Sequence, residues 1–352
     1  MKRMGYLYEK IYSEENISAA IKRASKRKKK RKMVRWVLDH QEYCVGEIKQ
    51  MLETQNYTPS PMRKRTILDG ITGKERIISI PKFYPDQIIQ WAILLQIKPI
   101  LSRGMSDFTC ASIPKRGISY GQRFVERWMK NRKATKYCAQ MDVRHFYPSV
   151  NHDRLKAMLL RKCKDQKLLC LLNRVIDAEP GLPIGTILSQ WLANFYLQGI
   201  DHYIKEQLHI RRYIRYMDDM ILFGSNKKQL HKAVREISAE LEGIGLTLKG
   251  NWQVYKVDSR GVSFLGYRFF HDRTILRRSN MLRISRKARR TAKRGTWGRR
   301  NCAAILSYLG WIKHSDSYHF YQERVKPFVS IKRIKGVIRR ENYKHRHAAD
   351  PV

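Results

Sequence analysis

Asp142 lies inside the run Ala139-Gln140-Met141-Asp142-Val143, and Asp218 and Asp219 sit between Tyr216-Met217 and Met220-Ile221-Leu222-Phe223. Carboxylates set among apolar β-forming residues cannot be left bare, because burying an unpaired charge is prohibitive. Each must meet Lys or Arg, collect backbone N–H groups, or bind a metal. Side chains at consecutive strand positions point to opposite faces, yet at a hairpin tip Asp218 and Asp219 can both approach a neighbouring strand. With the strand of Asp142 beside that hairpin, the carboxylates can hold two divalent ions roughly 3.5 to 4 Å apart, an arrangement suited to phosphoryl transfer. Magnesium is the expected ion, since it takes a few carboxylate oxygens together with water and phosphates. The plainer alternative is a turn whose Asp pair is capped by backbone amides.

Such carboxylates need elements that hold them still. Residues 137–143 read as a short apolar strand running into Arg144-His145-Phe146-Tyr147-Pro148, and the β-rich runs 212–216 and 220–223 predict a hairpin with the carboxylates at its tip. Upstream, residues 66–80 predict another hairpin, with Thr72-Gly73-Lys74 between Ile71 and the basic far strand of Arg76, Ile77, Ile78 and Ile80. Residues 86–101 predict a buried helix stopped near Pro99. Helical spacing recurs over 153–162, 187–200 and 227–241, and residues 262–270 give one more strand or hairpin. This order belongs to an α+β fold in which helices cover one face of an antiparallel sheet.

Charge narrows the partner. The chain has 352 residues, and its 72 Lys and Arg against 30 Asp and Glu give a formal charge of +42. Self-repulsion on that scale calls for a polyanion, while 43% hydrophobic residues is too many for a disordered basic tail. In residues 22–35 ten of fourteen are basic, which predicts a basic helix that tracks phosphates; residues 277–300 carry eleven basic residues and no acidic one. Trp297, Trp311 and Tyr318 are expected in the core of the basic C-terminal third, and His345-Arg346-His347 as a frayed tail. No stretch reaches the roughly 20 apolar residues of a spanning helix, and the N-terminus lacks signal-peptide features, so the protein is expected to remain inside the cell. The six cysteines show no C-x-x-C pair and are expected as buried reduced thiols.

The residues resemble a known family. Tyr216-Met217-Asp218-Asp219 is similar to the Y-x-D-D box of reverse transcriptases, and Met141-Asp142-Val143-Arg144-His145-Phe146-Tyr147 to their first catalytic Asp motif. Gly181-Leu182-Pro183-Ile184-Gly185 with Ser189-Gln190 and Asn194 resembles the nucleotide-pocket motif, Phe264-Leu265-Gly266-Tyr267 the primer grip, and residues 76–90 the fingers motifs. The likeness spans about residues 66–270. Within the bacterial group, Ile184-Gly185 followed by Ser189-Gln190, and Phe146-Tyr147-Pro148-Ser149, resemble the enzymes of diversity-generating retroelements; most reverse transcriptases place Gln at the position of Ile184.

That resemblance implies a right-hand polymerase: a basic helical segment over 1–65, fingers over 66–136, a palm over 137–272 with part of the fingers inserted around 150–180, and a helical thumb and tail over 273–352. It implies an RNA-directed DNA polymerase that copies a template-repeat RNA into cDNA, with errors at adenines, for mutagenic retrohoming. Asp142, Val143, Asp218 and Asp219 would hold two Mg²⁺, with the three aspartates catalytic. Lys74, Arg76, Tyr147, Ile184, Gly185 and Gln190 would bind the dNTP, Tyr147 as a steric gate against a 2′-hydroxyl and Lys74 and Arg76 on the triphosphate. Phe264, Leu265 and Gly266 would grip the primer. Lys249 is left out of the catalytic set, because the common spacing for a pyrophosphate-protonating lysine falls on Trp252. The implied partners are template RNA, the cDNA and primer duplex, dNTPs and a basic pentameric accessory protein, with no membrane, in the cytoplasm of a bacterial cell and encoded by host or phage. Two alternatives remain: another bacterial reverse transcriptase, from a group II intron, a retron or a phage-defence system, or a non-catalytic RNA-binding or splicing factor that keeps the fold.

Overall fold

The computed structural model describes residues 3–68 and 75–347. The chain divides into two compact units, one of Met1–Gly121, Ala139–Phe223 and Lys227–Val254, the other of Gln122–Cys138, Gly224–Asn226 and Tyr255–Val352.

In the first unit, the basic run does not make one helix. A helix over Glu14–Ser25, capped by Ser13, gives way to a turn in which Arg27 is left-handed (φ 63°), and a new helix begins at Lys32 and runs to Asp39. Unbroken helix would stack like charges three and four residues apart, and the break spreads them over two axes and a turn. The strands β1 (Arg63–Leu68) and β2 (Glu75–Ile80) pair antiparallel, from Arg63 opposite Ile80 to Leu68 opposite Glu75. The Thr72-Gly73-Lys74 tip lies outside the described residues. The next helix, Ile88–Ser102, buries most of its length and ends one residue past the expected bound, its last turn closing where the Arg103 amide donates to the Pro99 carbonyl at 3.2 Å. Proline lacks a donor but keeps its acceptor, so a last turn can still close on it.

A five-stranded sheet carries the predicted carboxylates. Its strands are β3 (Thr109–Cys110), β4 (Tyr137–Asp142), β5 (Arg212–Tyr216), β6 (Asp219–Gly224) and β7 (Gln253–Lys256), in the order β3-β5-β6-β4-β7. The β5–β6 pair is antiparallel, whereas the short edge strand β3 runs parallel to β5. Helices follow the expected spacing: His152–Leu160 capped by Asn151, Ile187–Tyr196 capped by Thr186, and Lys227–Gly243. The helix Gln166–Asp177 is capped by Asp165, whose second oxygen accepts from the Leu7 and Tyr8 amides at 2.7 and 2.8 Å.

The second unit holds a three-stranded antiparallel sheet, β8 (Val262–Phe264), β9 (Tyr267–Phe269) and β10 (Thr274–Leu276), followed by helices over Arg278–Lys293, Arg299–Lys313, Tyr318–Arg324 and Ile331–His347. Three expectations change. The tail is helical through His347, so the His-Arg-His stretch is not frayed. Tyr318 is 65% exposed, because its short helix buries none of its residues, while Trp311 stacks on Tyr267 at 5.8 Å. Among the cysteines, all free, Cys170 is exposed on the outer side of its helix and the other five are buried. No helix of the described residues is long and apolar enough to cross a membrane.

Candidate active site

The hairpin that carries Asp218 is closed by two residues. Tyr216 pairs with Asp219, so Met217 and Asp218 form the turn, and Met217 is left-handed at φ 56°. Asp218 therefore stands at the tip, and Asp219 begins β6. Beyond the end of β4, Val143 bridges Leu248 antiparallel; the Arg144 amide donates to the Thr247 carbonyl at 2.7 Å and the Lys249 amide to the Asp142 carbonyl at 2.9 Å. Because these bonds belong to its neighbours, Val143 points its own carbonyl away from Leu248. The same register sets Lys249 beside Asp142, and its ammonium forms an ion pair with Asp142 Oδ2.

Electrostatics mark this corner as unfinished without a cation. Asp142 Oδ1 is buried with no hydrogen-bond partner. Burial first, and then the Asp142 charge next to it, push the Asp218 carboxyl up to about 6, while Lys249 acts the other way. Two adjoining carboxylates with a single ammonium, held on Asp142, keep an unmet need for positive charge, which a hard divalent ion fits. The cluster is a pair and not a triad: among the described residues no group of three or more His, Cys, Asp or Glu is gathered where a metal could sit. The two-residue turn explains this, since it sends Asp219 into the strand.

Around the pair lie several of the proposed nucleotide residues. The Tyr147 hydroxyl reaches Met217 Sδ at 3.7 Å, and burial together with the Asp218 charge pushes it up to about 12. The Leu182 amide donates to the Tyr147 carbonyl at 2.7 Å, and a Cβ on Gly181 (φ 61°) would lie 2.4 Å from the Pro148 carbonyl oxygen, so only glycine fits against this backbone. The Ile184 carbonyl accepts from the Ser79 amide at 2.8 Å, which ties the loop to β2. Gly185 (φ 121°) packs so closely that a Cβ would meet Ile78 Cγ2 at 2.6 Å and the Ser79 carbonyl oxygen at 2.8 Å. Arg76 is exposed two residues before Ile78, hence on the same strand face as the side chain that meets Gly185. Gln190 Oε1 accepts from the Ser112 hydroxyl at 2.7 Å. Lys74 lies outside the described residues.

Phe264, Leu265 and Gly266 belong to the second unit, where Phe264 pairs with Tyr267 and the turn residues have φ 53° and 84°, both left-handed as a type I′ turn demands. Gly266 is held by the Arg277 amide at 3.0 Å and Asn280 Nδ2 at 2.9 Å, both donating to its carbonyl.

Lys249, which the sequence leaves out of the catalytic set, stands against Asp142 in the structure. Its partner is 107 positions away, and only the Arg144–Thr247 register reveals the pairing. The available signal was the alternation Leu246-Thr247-Leu248-Lys249, which predicts a strand edge that turns Lys249 to the polar side.

Comparison with known proteins adds the wider context. The profile of the family described as reverse transcriptase (RNA-dependent DNA polymerase) matches residues 62–269. Protein YkfC of Escherichia coli strain K12 is 25% identical over 311 residues, covering 75% of this chain and 78% of YkfC. The group II intron-encoded protein LtrA of Lactococcus lactis subsp. cremoris is 25% identical over 212 residues, covering 57% of this chain and 34% of LtrA. A solved structure of telomerase from Candida tropicalis in complex with a TWJ fragment of telomeric RNA aligns with a TM-score of 0.46 at 14% identity, covering 79% of this chain and 58% of the telomerase. The chain thus spans about a third of the intron-encoded protein and under two thirds of the telomerase.

Proposed function

The chain belongs to the reverse transcriptase (RNA-dependent DNA polymerase) family, related to group II intron-encoded enzymes, and from that premise we propose that it copies RNA into cDNA at the Asp142–Asp218 corner, in the service of a diversity-generating retroelement. The observation that carries the polymerase reading is the orphaned, buried Asp142 Oδ1 beside a second carboxylate whose ionisation it opposes. Asp142 and Asp218 would hold Mg²⁺, with Asp219 and the Val143 carbonyl as further candidates. When bound, the metal lowers the pKa of the primer 3′-hydroxyl and stabilises charge on the leaving pyrophosphate.

The chain's own groups supply the rest. Lys249 neutralises Asp142 in the absence of metal and has an ammonium proton to give within this corner. Tyr147, whose hydroxyl reaches Met217 beside Asp218, would stand where a 2′-hydroxyl on an incoming sugar collides with it. Gly185 lets the Ile184-Gly185 loop lie against β2, and Arg76, with Lys74, would meet the triphosphate from that strand. A cavity of about 660 Å³ lined by Arg23, Lys26, Arg27 and Arg31 opens beside Gly185 and Thr186, which supports a template path along the basic turn. Phe264, Leu265 and Gly266 would contact the primer.

Ile184 supports the retroelement type. An apolar side chain in place of an amide removes a hydrogen-bonding group that could hold a correct pair, so mispairs are rejected less strongly. A second reading, an intron-related polymerase that copies faithfully, is favoured by the 25% identity to LtrA. Primer extension on a defined RNA template with Mg²⁺ and dNTPs decides. Extension with errors concentrated at template adenines is expected; faithful extension supports the intron-related reading, and absence of extension with and without a basic pentameric partner removes the polymerase assignment.

A further inference from the structure

Arg215, in β5 and three residues before Asp218, is fully buried. Its Nε and Nη2 donate to the two oxygens of Asp201 at 2.7 and 2.6 Å, a bidentate fork with both side chains wholly inaccessible. Asp201 needs no further help: the Tyr213 hydroxyl donates to Oδ1 at 2.6 Å and the Thr109 hydroxyl to Oδ2 at 2.8 Å. The remaining nitrogen, Nη1, points elsewhere. It donates to the Met217 carbonyl at 2.8 Å and to Asn194 Oδ1 at 3.1 Å.

A buried ion pair is a poor device for stability alone, because an apolar pair of similar volume is often as stable. What an apolar pair cannot do is grip a carbonyl. The carbonyl gripped here belongs to Met217, whose left-handed backbone is unfavourable for a side chain of that kind and which leads directly into Asp218. The second arm extends further: Asn194 Nδ2 donates to the Ala111 carbonyl at 3.0 Å, holding a segment in which Ala111 (φ 79°) and Ser112 (φ 56°) are both left-handed and Ser112 bonds Gln190. Strained backbone persists where its surroundings over-determine it, and here one guanidinium does so for two such segments.

We propose that Arg215 is a positioning residue: anchored on Asp201, it fixes the Met217-Asp218 turn so that the Asp218 carboxylate stands beside Asp142, and through Asn194 it locks that turn to the segment beneath Gln190. The role rests on the polymerase reading of the site. A merely structural Arg215 would affect folding and nothing else.

The test sets Arg215→Lys against Tyr213→Phe. Lysine keeps a charge for Asp201 but has no planar fork to span Asp201 and the Met217 carbonyl together. Tyr213→Phe removes a hydrogen bond to the same carboxylate and leaves the grip intact. Three readouts separate the roles: melting temperature, the Mn²⁺ midpoint of thermal stabilisation without substrate, and kcat and KM for dNTP in primer extension. Both variants are expected to melt lower. Arg215→Lys should also raise the Mn²⁺ midpoint about tenfold and lower kcat about 10- to 100-fold, with KM within about threefold, as expected of a misplaced reacting group. Tyr213→Phe should keep Mn²⁺ midpoint and kcat within about twofold of the unaltered protein. Equal Mn²⁺ midpoints and equal kcat in the two variants would overturn the proposal. Should Arg215→Lys not fold, the double variant Arg215→Met with Asp201→Leu replaces the ion pair by an apolar one; it is expected to fold with the same metal and kcat defects, and unaltered values in it overturn the proposal. If the unaltered protein itself fails to extend a primer, the polymerase reading falls, while the Mn²⁺ midpoints still decide the role of Arg215.

Discussion

Asp218 is a carboxylate placed where folding would prefer it neutral. Its raised pKa, about 6 against an ordinary 3.8, means that the folded metal-free protein holds the proton more tightly than the unfolded chain does. The sign follows: below pH 3.8 the group costs nothing, and stability falls as pH rises from there through about 6, by about 1 to 2 kcal/mol once solvent screening at this half-buried site is allowed for. Asp218→Asn should therefore melt higher than the unaltered protein at pH 7 with chelator present, melt alike near pH 4, and lose polymerase activity by at least about 10³-fold. Melting curves across pH with EDTA, and primer extension with Mg²⁺, check both halves; equal stability at pH 7 would remove the electrostatic account. Ile184 belongs to the same scale. Ile184→Gln restores a hydrogen-bonding amide beside Gly185, and sequencing of cDNA should show misincorporation at template adenines falling several-fold, about 3 to 30 times, with other bases little changed. Asp142 and Asp218 were legible because their chemistry is odd for their neighbours, acid within apolar strand, whereas Ile184 stood out only through the family resemblance. Lys249 was not legible, since nothing local ties it to Asp142, and the role of Asp219 depended on how many residues the turn would take.

Among elements, the hairpins and helices with clean alternation or spacing were legible, and the misreadings were physical competitions that composition does not display. Fourteen residues of helical pattern over 22–35 break at Arg27 because like charges oppose the continuous helix, whereas the helix expected over 86–101 ends at Ser102, its last turn closed on the Pro99 carbonyl. The Ile184-Gly185 loop shows what two elements must agree on to build a site. It lies against β2 through the Ser79–Ile184 hydrogen bond and through a contact too close for any Cβ at Gly185. Gly185→Ala must push this loop off Ile78 and the Ser79 carbonyl, and φ 121° is poor for alanine even then. The variant is expected to lose about 1 to 3 kcal/mol of stability. Because β2 carries Arg76, KM for dNTP should rise about tenfold while kcat changes less. Denaturant melts and steady-state extension kinetics measure both; an unchanged KM would detach the loop from nucleotide binding.

For the whole molecule, a charge of +42 is the dominant fact, and internal pairing leaves most of it unanswered. Where pairs do form, many are exposed, as Lys49 with Glu14 at 2.7 Å, and contribute little to stability. The excess is instead concentrated in two stretches on separate units, residues 22–35 and 277–300. Charge of this kind stabilises a complex with nucleic acid by releasing condensed counterions, so affinity for a template–primer duplex should fall steeply with salt, by about 10³- to 10⁵-fold between 50 and 200 mM if some six to ten phosphates are met. The two stretches can be told apart by slope. Neutralising Lys26, Arg27 and Arg31 to Gln removes three charges that line the cavity beside Gly185. The slope of log affinity against log salt should become shallower by about 2 to 3, whereas affinity extrapolated to high salt should barely change, since no base-specific contact has been removed. Fluorescence anisotropy with a labelled duplex bearing a single-stranded template overhang measures this directly. The same substitutions should have little effect on a blunt duplex, because the basic turn lines one cavity with Gly185, the proposed entry of unpaired template. An equal loss of slope on both substrates would mean that the turn holds duplex, and the template path would have to be drawn elsewhere.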